Sequence, residues 1–306
     1  KPYSRPEIHS SLGHGTAWMS EVDQVLGFTI SSLSARGRVV RLGPTLEQVL
    51  AAHGYPPAVE KLLAQALVVT ALLGTTLKTD DGQMTMQAQT QGGAIEFLVC
   101  DYRNGEVRGY VKHDADKVAA LPHDPDLQSL FGTGYLAITF DQAVTKERYQ
   151  GIVPLEGAHI GDAIEHYFAQ SEQIPSLVHA YMSGEVAGGF LVQHLPEGEV
   201  GRERLHVRLD HPQWEHVAAL GQTISKDELT DLDLPLEDLI WRLFHEEEDV
   251  RILDSTTIKK GCRCDVDYVR SVIMQFAEDD RKEMADEMGV VSVDCAFCSR
   301  VFPVQF

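Results

Sequence analysis

Apolar and polar residues alternate with the two-residue period of half-buried strands through much of the chain before Pro196. The alternation predicts two strands between Gln24 and Leu42, with Gly37 between them and Arg38, Val39, Val40, Arg41 and Leu42 forming the second. After an Asp80-Asp81-Gly82 turn, strands are expected at Gln83–Thr90, Ala94–Tyr102 and Glu106–Lys112, the last two joined by an Asn104-Gly105 hairpin. Tyr135–Phe140, Tyr149–Leu155, Leu177–Met182 and Gly189–Leu195 continue the series. A helical period breaks it in three places. Thr45 with Gln48 reads as a capping box for a short helix carrying Leu46, Val49 and Leu50. Pro56-Pro57 opens a longer helix, and Ile160–Gln170 forms a third with Ile164, Tyr167 and Phe168 on one side. The longer helix is apolar on nearly all sides after Gln65, so it is expected to run through the core; Gln65, Thr70 and Gly74 interrupt it as a membrane span. Neighbouring hairpins with few helices make an α+β fold with a mainly antiparallel sheet.

After Pro196 the pattern changes. To about Ser255 the chain is strongly acidic, with a weak helical pattern at Trp214, Val217, Ala218, Gly221 and Ile224 and a strong one at Leu236, Leu239, Ile240, Leu243 and Phe244. Glu246-Glu247-Glu248-Asp249 follows the second helix at its C-terminal end, where the helix dipole opposes negative charge by a few tenths to about 1 kcal/mol. From pattern alone such a segment reads first as an ordinary helical connector; it is poorly self-sufficient, and the alternative is that it folds against a partner surface. Beyond it, Val266, Val269, Ile273 and Phe276 mark a helix, a charged helix with Met284 and Met288 follows, and Val290, Val291 and Val293 lead into a final turn. The expected organisation is a disordered lead over 1–20, an α+β core over 21–196, an acidic helical linker over 197–255 and a small module over 256–306.

The 306 residues suffice for two domains, and 43% hydrophobic with 24% charged residues excludes wholesale disorder. The formal charge of −20 argues against a nucleic-acid surface, which relies on clustered Lys and Arg. With no apolar leader segment, a cytoplasmic protein without a membrane anchor is expected. Neither a phosphate-binding glycine loop nor a nucleophile elbow occurs, so an enzyme is not expected. His211 and His216 flank Trp214 and read as a solvated pair; Asp80-Asp81 and Asp279-Asp280 read as turn and helix-surface charges.

The chemistry concentrates in the last fifty residues. Cys262 and Cys264 are separated by thirty residues from Cys295 and Cys298, and two close pairs on a long arm are what one metal ion needs to be gripped from two sides. Four thiolates suit zinc, one ion per chain. A module this small buries little apolar surface, so the metal would supply much of its folding energy. Four thiolates around a divalent ion leave a net charge of −2, which Lys259, Lys260, Arg263 and Arg300 could offset. Thiolates are also what oxidants attack, and a disulfide no longer binds zinc, so such a site can be either a static staple or a redox switch. The fifth cysteine, Cys100, ends an apolar strand and reads as a buried, inert thiol. Two other readings stay open: a thiol–disulfide oxidoreductase using Cys295-x-x-Cys298, and a static zinc module that binds a protein or nucleic-acid partner.

The cysteine arrangement resembles that of heat shock protein 33, the redox-regulated holdase chaperone family of bacteria. Arg148-Tyr149-Gln150-Gly151 with Leu155-Glu156-Gly157, Tyr167-Phe168 with Ser171-Glu172-Gln173-Ile174-Pro175, and Trp241-Arg242-Leu243 with His245-Glu246-Glu247-Glu248 resemble further motifs of the same family. The resemblance runs from about Val25 to Phe302. It implies a reduced, zinc-bound, inactive state in which Cys262, Cys264, Cys295 and Cys298 are the ligands. Oxidation would form the disulfides Cys262–Cys264 and Cys295–Cys298 and release zinc. The linker would then loosen, and the protein would dimerise and hold unfolding client proteins without ATP.

Overall fold

In a computed structural model, residues 22–77, 82–142, 147–195 and 211–305 are described. The expected lead over 1–20 and the Asp80-Asp81 pair lie outside them. The chain runs β1 (Gln24–Ile30), β2 (Ala35–Leu42), α1 (Pro44–Leu50), α2 (Pro57–Gly74), then β3 (Gln83–Thr90), β4 (Ile95–Arg103) and β5 (Glu106–His113). Next come α3 (Ala115–Ala119), α4 (Leu127–Phe131), β6 (Gly134–Gln142), β7 (Glu147–Pro154), α5 (Ile160–Tyr167), β8 (Ser176–Ser183) and β9 (Val186–His194). The acidic segment supplies α6 (Pro212–Gly221), α7 (Lys226–Thr230), α8 (Leu236–Phe244) and β10 (Val250–Thr257). The tail adds β11 (Lys259–Lys260), α9 (Val266–Ile273), α10 (Glu278–Met284), β12 (Val290–Asp294) and β13 (Val301–Gln305). One sheet has the order β10-β1-β2-β9-β8, a second β11-β5-β4-β3-β6-β7, and β12 pairs with β13. Among the described pairings only β11 with β5 is parallel. The expected α+β class with antiparallel sheets is therefore the one observed.

Helix α2 lies between the two large sheets, which is why it is apolar all round: Leu63, Leu67, Val68 and Leu72 are all fully buried. A glycine on each sheet lets it approach. A Cβ on Gly109 of β5 would stand 2.6 Å from Leu63, and one on Gly189 of β9 would stand 2.2 Å from Val68. Buried Gln65 is satisfied by donating to the Ala180 carbonyl at 3.0 Å. By length and composition this helix could cross a membrane, but 78% of its apolar window is buried inside the protein, as a core helix requires.

Two local expectations are corrected. Gly37 does not separate β1 from β2; it lies within β2, opposite Phe28, and a Cβ there would meet the Phe28 ring at 2.1 Å. The reversal is made instead by Ser31–Leu33 and Ser34, which takes a left-handed φ of 48°. Nor do Thr45 and Gln48 form a capping box. The helix begins at Pro44, and the free N–H groups of Gly43 and Thr45 donate to the carboxylate of Asp23 at 2.9 Å each. Helices α3 and α4, capped by Asp114 and Asp126, are too short to show a period and were not expected from the pattern.

The acidic segment is no bare connector. Helices α6 to α8 cover the outer face of the five-stranded sheet, where Trp214, Val217, Leu229, Leu236, Leu239, Ile240 and Phe244 join Phe28, Val39, Leu177 and Phe190 in one buried cluster. The Phe28 ring lies between those of Phe244 and Phe190, with centroids 5.6 and 6.0 Å away. The acidic run finds local partners: Glu247 meets His216 at 2.7 Å and Asp249 pairs with Arg251. His211, expected to be solvated with His216, caps α6 through Nδ1 and packs its ring, tilted by 33°, against His194 at 4.8 Å.

Replacing Leu67 by Ala, in the middle of α2, is expected to cost about 2–5 kcal/mol of stability, read from a urea midpoint. A second prediction concerns Glu165 of α5. Burial pushes its carboxyl up to about 7, against the Val178 N–H that donates to it at 2.7 Å. A carboxyl whose folded pKa lies above its unfolded value favours folding while neutral, and that contribution is lost as pH rises through about 7. Glu165→Gln, which keeps an acceptor for Val178, is expected to raise stability at about pH 8 and flatten its decline from about pH 5, measured by urea unfolding at each pH.

Candidate metal centre

After β10 the chain leaves one sheet edge and joins another. Ile258 is buried between them; its N–H donates to the Asp23 carbonyl at 2.7 Å, and its carbonyl accepts from the Thr45 hydroxyl at 3.2 Å. Strand β11 then pairs with the start of β5, and the Gly261 N–H donates to Val107. Gly261 is needed there because a Cβ would fall 2.5 Å from Glu106. Cys262 and Cys264 follow at once, so this limb is rooted on the six-stranded sheet. Cys295 and Cys298 sit in a tight turn between β12 and β13, closed by N–H groups of Cys298 and Ser299 donating to the Cys295 carbonyl. An oxidoreductase motif would open a helix after a strand; this one joins two antiparallel strands.

The fold brings the four expected sulfurs together, all within 4.8 Å of one another. Cys262 Sγ is 3.5 Å from Cys295 Sγ, and Cys264 Sγ is 3.7 Å from Cys298 Sγ, so each close pair joins the two limbs. These are free thiols in contact, far beyond the roughly 2.05 Å of a disulfide. Burial pushes the Cys262 thiol up, but hydrogen bonds from the Cys264 main chain and the other three thiols outweigh it and bring it to about 7. Cys264 is pushed up to about 12, by burial first and then by the neighbouring sulfurs; Cys295 is raised as well, by burial first. The first thiolate to form thus opposes the next, and a cation among them would remove that opposition. Such a set could hold one metal ion. Cys100 is remote in character: it is fully buried, and burial pushes its thiol up, so it stays protonated.

The cations expected to offset the thiolate charge are engaged with other groups. Lys259 pairs with Glu106, Lys260 donates to the Gln48 carbonyl, Arg263 reaches Gln83 and Asp101, and Arg300 lies over Phe302. The first three dock the tail on the core; the Arg300 contact with Phe302 lies within the tail. Phe297, inside the Cys295–Cys298 turn, lies 4.0 Å under the guanidinium of Arg108, which is held by buried Asp101. The Ser299 hydroxyl donates to the Ala52 carbonyl at 2.6 Å. These docking residues carry no periodic signal in the sequence; an aromatic side chain within a four-residue thiol turn was the one available sign. The tail's own core is small, with Ile273, Val291 and Val304 at its centre.

Other motifs singled out in the sequence also meet in space. The Tyr149 hydroxyl donates to the Ser171 carbonyl, Tyr167 donates to Glu172, and a Cβ on Gly151 would strike the Tyr167 ring at 2.4 Å.

An α+β protein of two large, mainly antiparallel sheets, with a four-thiol cluster near the C-terminus that could hold a metal ion, is the class that fold and site define. The sequence model of the family described as "Hsp33 protein" matches residues 23–305. A "33 kDa chaperonin" of Caulobacter vibrioides is 37% identical over 295 residues, covering 92% of this chain and 95% of its own. One of Yersinia pestis is 36% identical over 286 residues, covering 92% and 91%. The crystal structure of a 33 kDa chaperonin (Heat shock protein 33 homolog) from Thermotoga maritima superposes with a TM-score of 0.75 at 22% identity, covering 92% of this chain and 95% of that one. The chain belongs to the Hsp33 family, a family of chaperones and not of enzymes.

Phe297→Ala is expected to weaken tail docking by about 0.5–1 kcal/mol without removing a thiol. Amide exchange over 290–305 should quicken while metal content per chain is unchanged.

Proposed function

We propose that this chain is a holdase whose four cysteines form a zinc-dependent redox switch. The observation that carries the proposal is the gathering of Cys262, Cys264, Cys295 and Cys298 from two limbs into one cluster. A tetrahedron with Zn–S bonds of about 2.3 Å has sulfurs about 3.8 Å apart. The contacts of 3.5 and 3.7 Å suit that polyhedron, so the four thiolates would hold one zinc ion in the reduced state. Bound there, zinc would neutralise thiolate charge and supply folding energy, on the order of 10–16 kcal/mol in small structural sites.

On this reading 21–196 is the core, 197–255 the linker and 256–306 the switch. Each peroxide removes two electrons from one thiol pair. A sulfur first becomes a sulfenic acid, releasing water, and its partner thiol then displaces the second oxygen as water. Two peroxides thus convert the site to Cys262–Cys264 and Cys295–Cys298, the pairings the family resemblance implies. A disulfide offers no thiolate to a metal, so the tail loses its staple. The tail is continuous with Ile258 and β10, and its unfolding would loosen the helices on the five-stranded sheet. The apolar surface so freed would bind unfolding client proteins and allow dimerisation. A resting state with free thiols suits a reducing compartment, the cytoplasm.

The test is to add peroxide at mildly raised temperature and follow zinc release and suppression of client aggregation on the same sample. Both are expected to rise together. Zinc release with no gain in suppression would leave a static zinc staple and overturn the switch.

A further inference from the structure

A buried cation stands inside the contact between the acidic segment and the sheet. Arg41 of β2 is almost completely buried. Its guanidinium donates to three main-chain carbonyls of the acidic segment: Nε to Leu229 at 3.1 Å, and the two terminal nitrogens to Leu234 at 2.9 Å and Glu228 at 3.2 Å. The cross-strand partner of Arg41 is Gly188 of β9. A Cβ on Gly188 would stand 2.2 Å from the Leu229 carbonyl oxygen, so only glycine lets that carbonyl settle onto the sheet.

We propose that Arg41 and Gly188 form a peptide-carbonyl niche that holds the 228–234 turn on the core, making Arg41 a positioning residue for the acidic segment. The chemistry is specific. Glu228 and Leu229 lie in the last turn of α7, where carbonyls lack partners within the helix. A guanidinium supplies several donors in a rigid fork and can satisfy carbonyls of different residues at once. A lysine ammonium at the same place cannot reach all three in that geometry. These three acceptors are main-chain atoms, so the bonds follow the path of the turn. Buried carbonyls without donors are costly, so losing the fork penalises the docked state more than the undocked one, in which water supplies the donors. The niche lies on the core, outside the thiol cluster, and restrains helices α6 to α8 independently of the metal.

This inference rests on the switch reading for its consequence, but its direct readout does not. Amide exchange is to be measured on the full chain, reduced and zinc-loaded, for wild type, Arg41→Met, Arg41→Lys and Gly188→Ala. Exchange over 226–244 is expected to rise about tenfold or more in Arg41→Met and Gly188→Ala, and less in Arg41→Lys, with α2 protection and zinc content unchanged. The reduced Arg41→Met protein should also suppress aggregation of a heat-unfolded soluble enzyme without oxidant. Wild-type protection over 226–244 in either Arg41→Met or Gly188→Ala would overturn the niche. Loss of α2 protection alongside would overturn it as a local restraint. Loosened helices without suppression, in a preparation whose oxidised wild type also fails to suppress, would sink the switch reading and leave the niche standing.

Discussion

The outer face of the five-stranded sheet is largely apolar, and the rest of the structure is arranged around what covers it. The inner face is served by α2, which packs against both sheets at once. The outer face, with Phe28, Val39, Leu177 and Phe190, is closed by helices α6 to α8. These helices run from five to ten residues, far shorter than an isolated helix needs in water. They are helical because they are docked, and folding and docking are one event. The cover is therefore cooperative, and what weakens one end of it weakens the whole.

The route from the thiol site to this cover is short and physical. From Phe244 the chain runs along the edge of one sheet as β10, buries Ile258, zips two residues onto the other sheet as β11 and, after Gly261, reaches Cys262 four residues beyond Ile258. Strand β10 is mostly exposed and holds to β1 by its ladder more than by its side chains. An edge strand of this kind depends on being tethered at both ends. The tail supplies one tether, through Ile258, the Arg108–Phe297 contact and the Ser299 hydrogen bond; the helices on the sheet supply the other.

The thiol site is suited to two states for an electrostatic reason. Four sulfurs are crowded where ionising one raises the cost of ionising another, as the divergence of Cys262 and Cys264 expresses. Without a cation or covalent bonds between them, the cluster repels itself as it ionises. The tail has too small a core to hold it shut by packing alone.

Much of this was legible in residue order. Strands and the core helix follow from apolar period, and the four cysteines from spacing, because both are local regularities that one chain segment states by itself. The role of the acidic segment was only half legible: the stripe from Leu236 to Phe244 is written in the sequence, but the sheet face that receives it is assembled from strands distant in the chain. The same holds for Gly37, Asp23, Ile258 and Arg108, whose places are set by neighbours 9 to 235 positions away or by a ring from the tail. Sequence alone determined the longer periodic elements and which atoms can bind a metal, since backbone period and ligand chemistry are short-range properties. Tertiary structure decided what those elements cover and how the thiol cluster is tied to them, since contact between distant segments exists only once the sheets have closed.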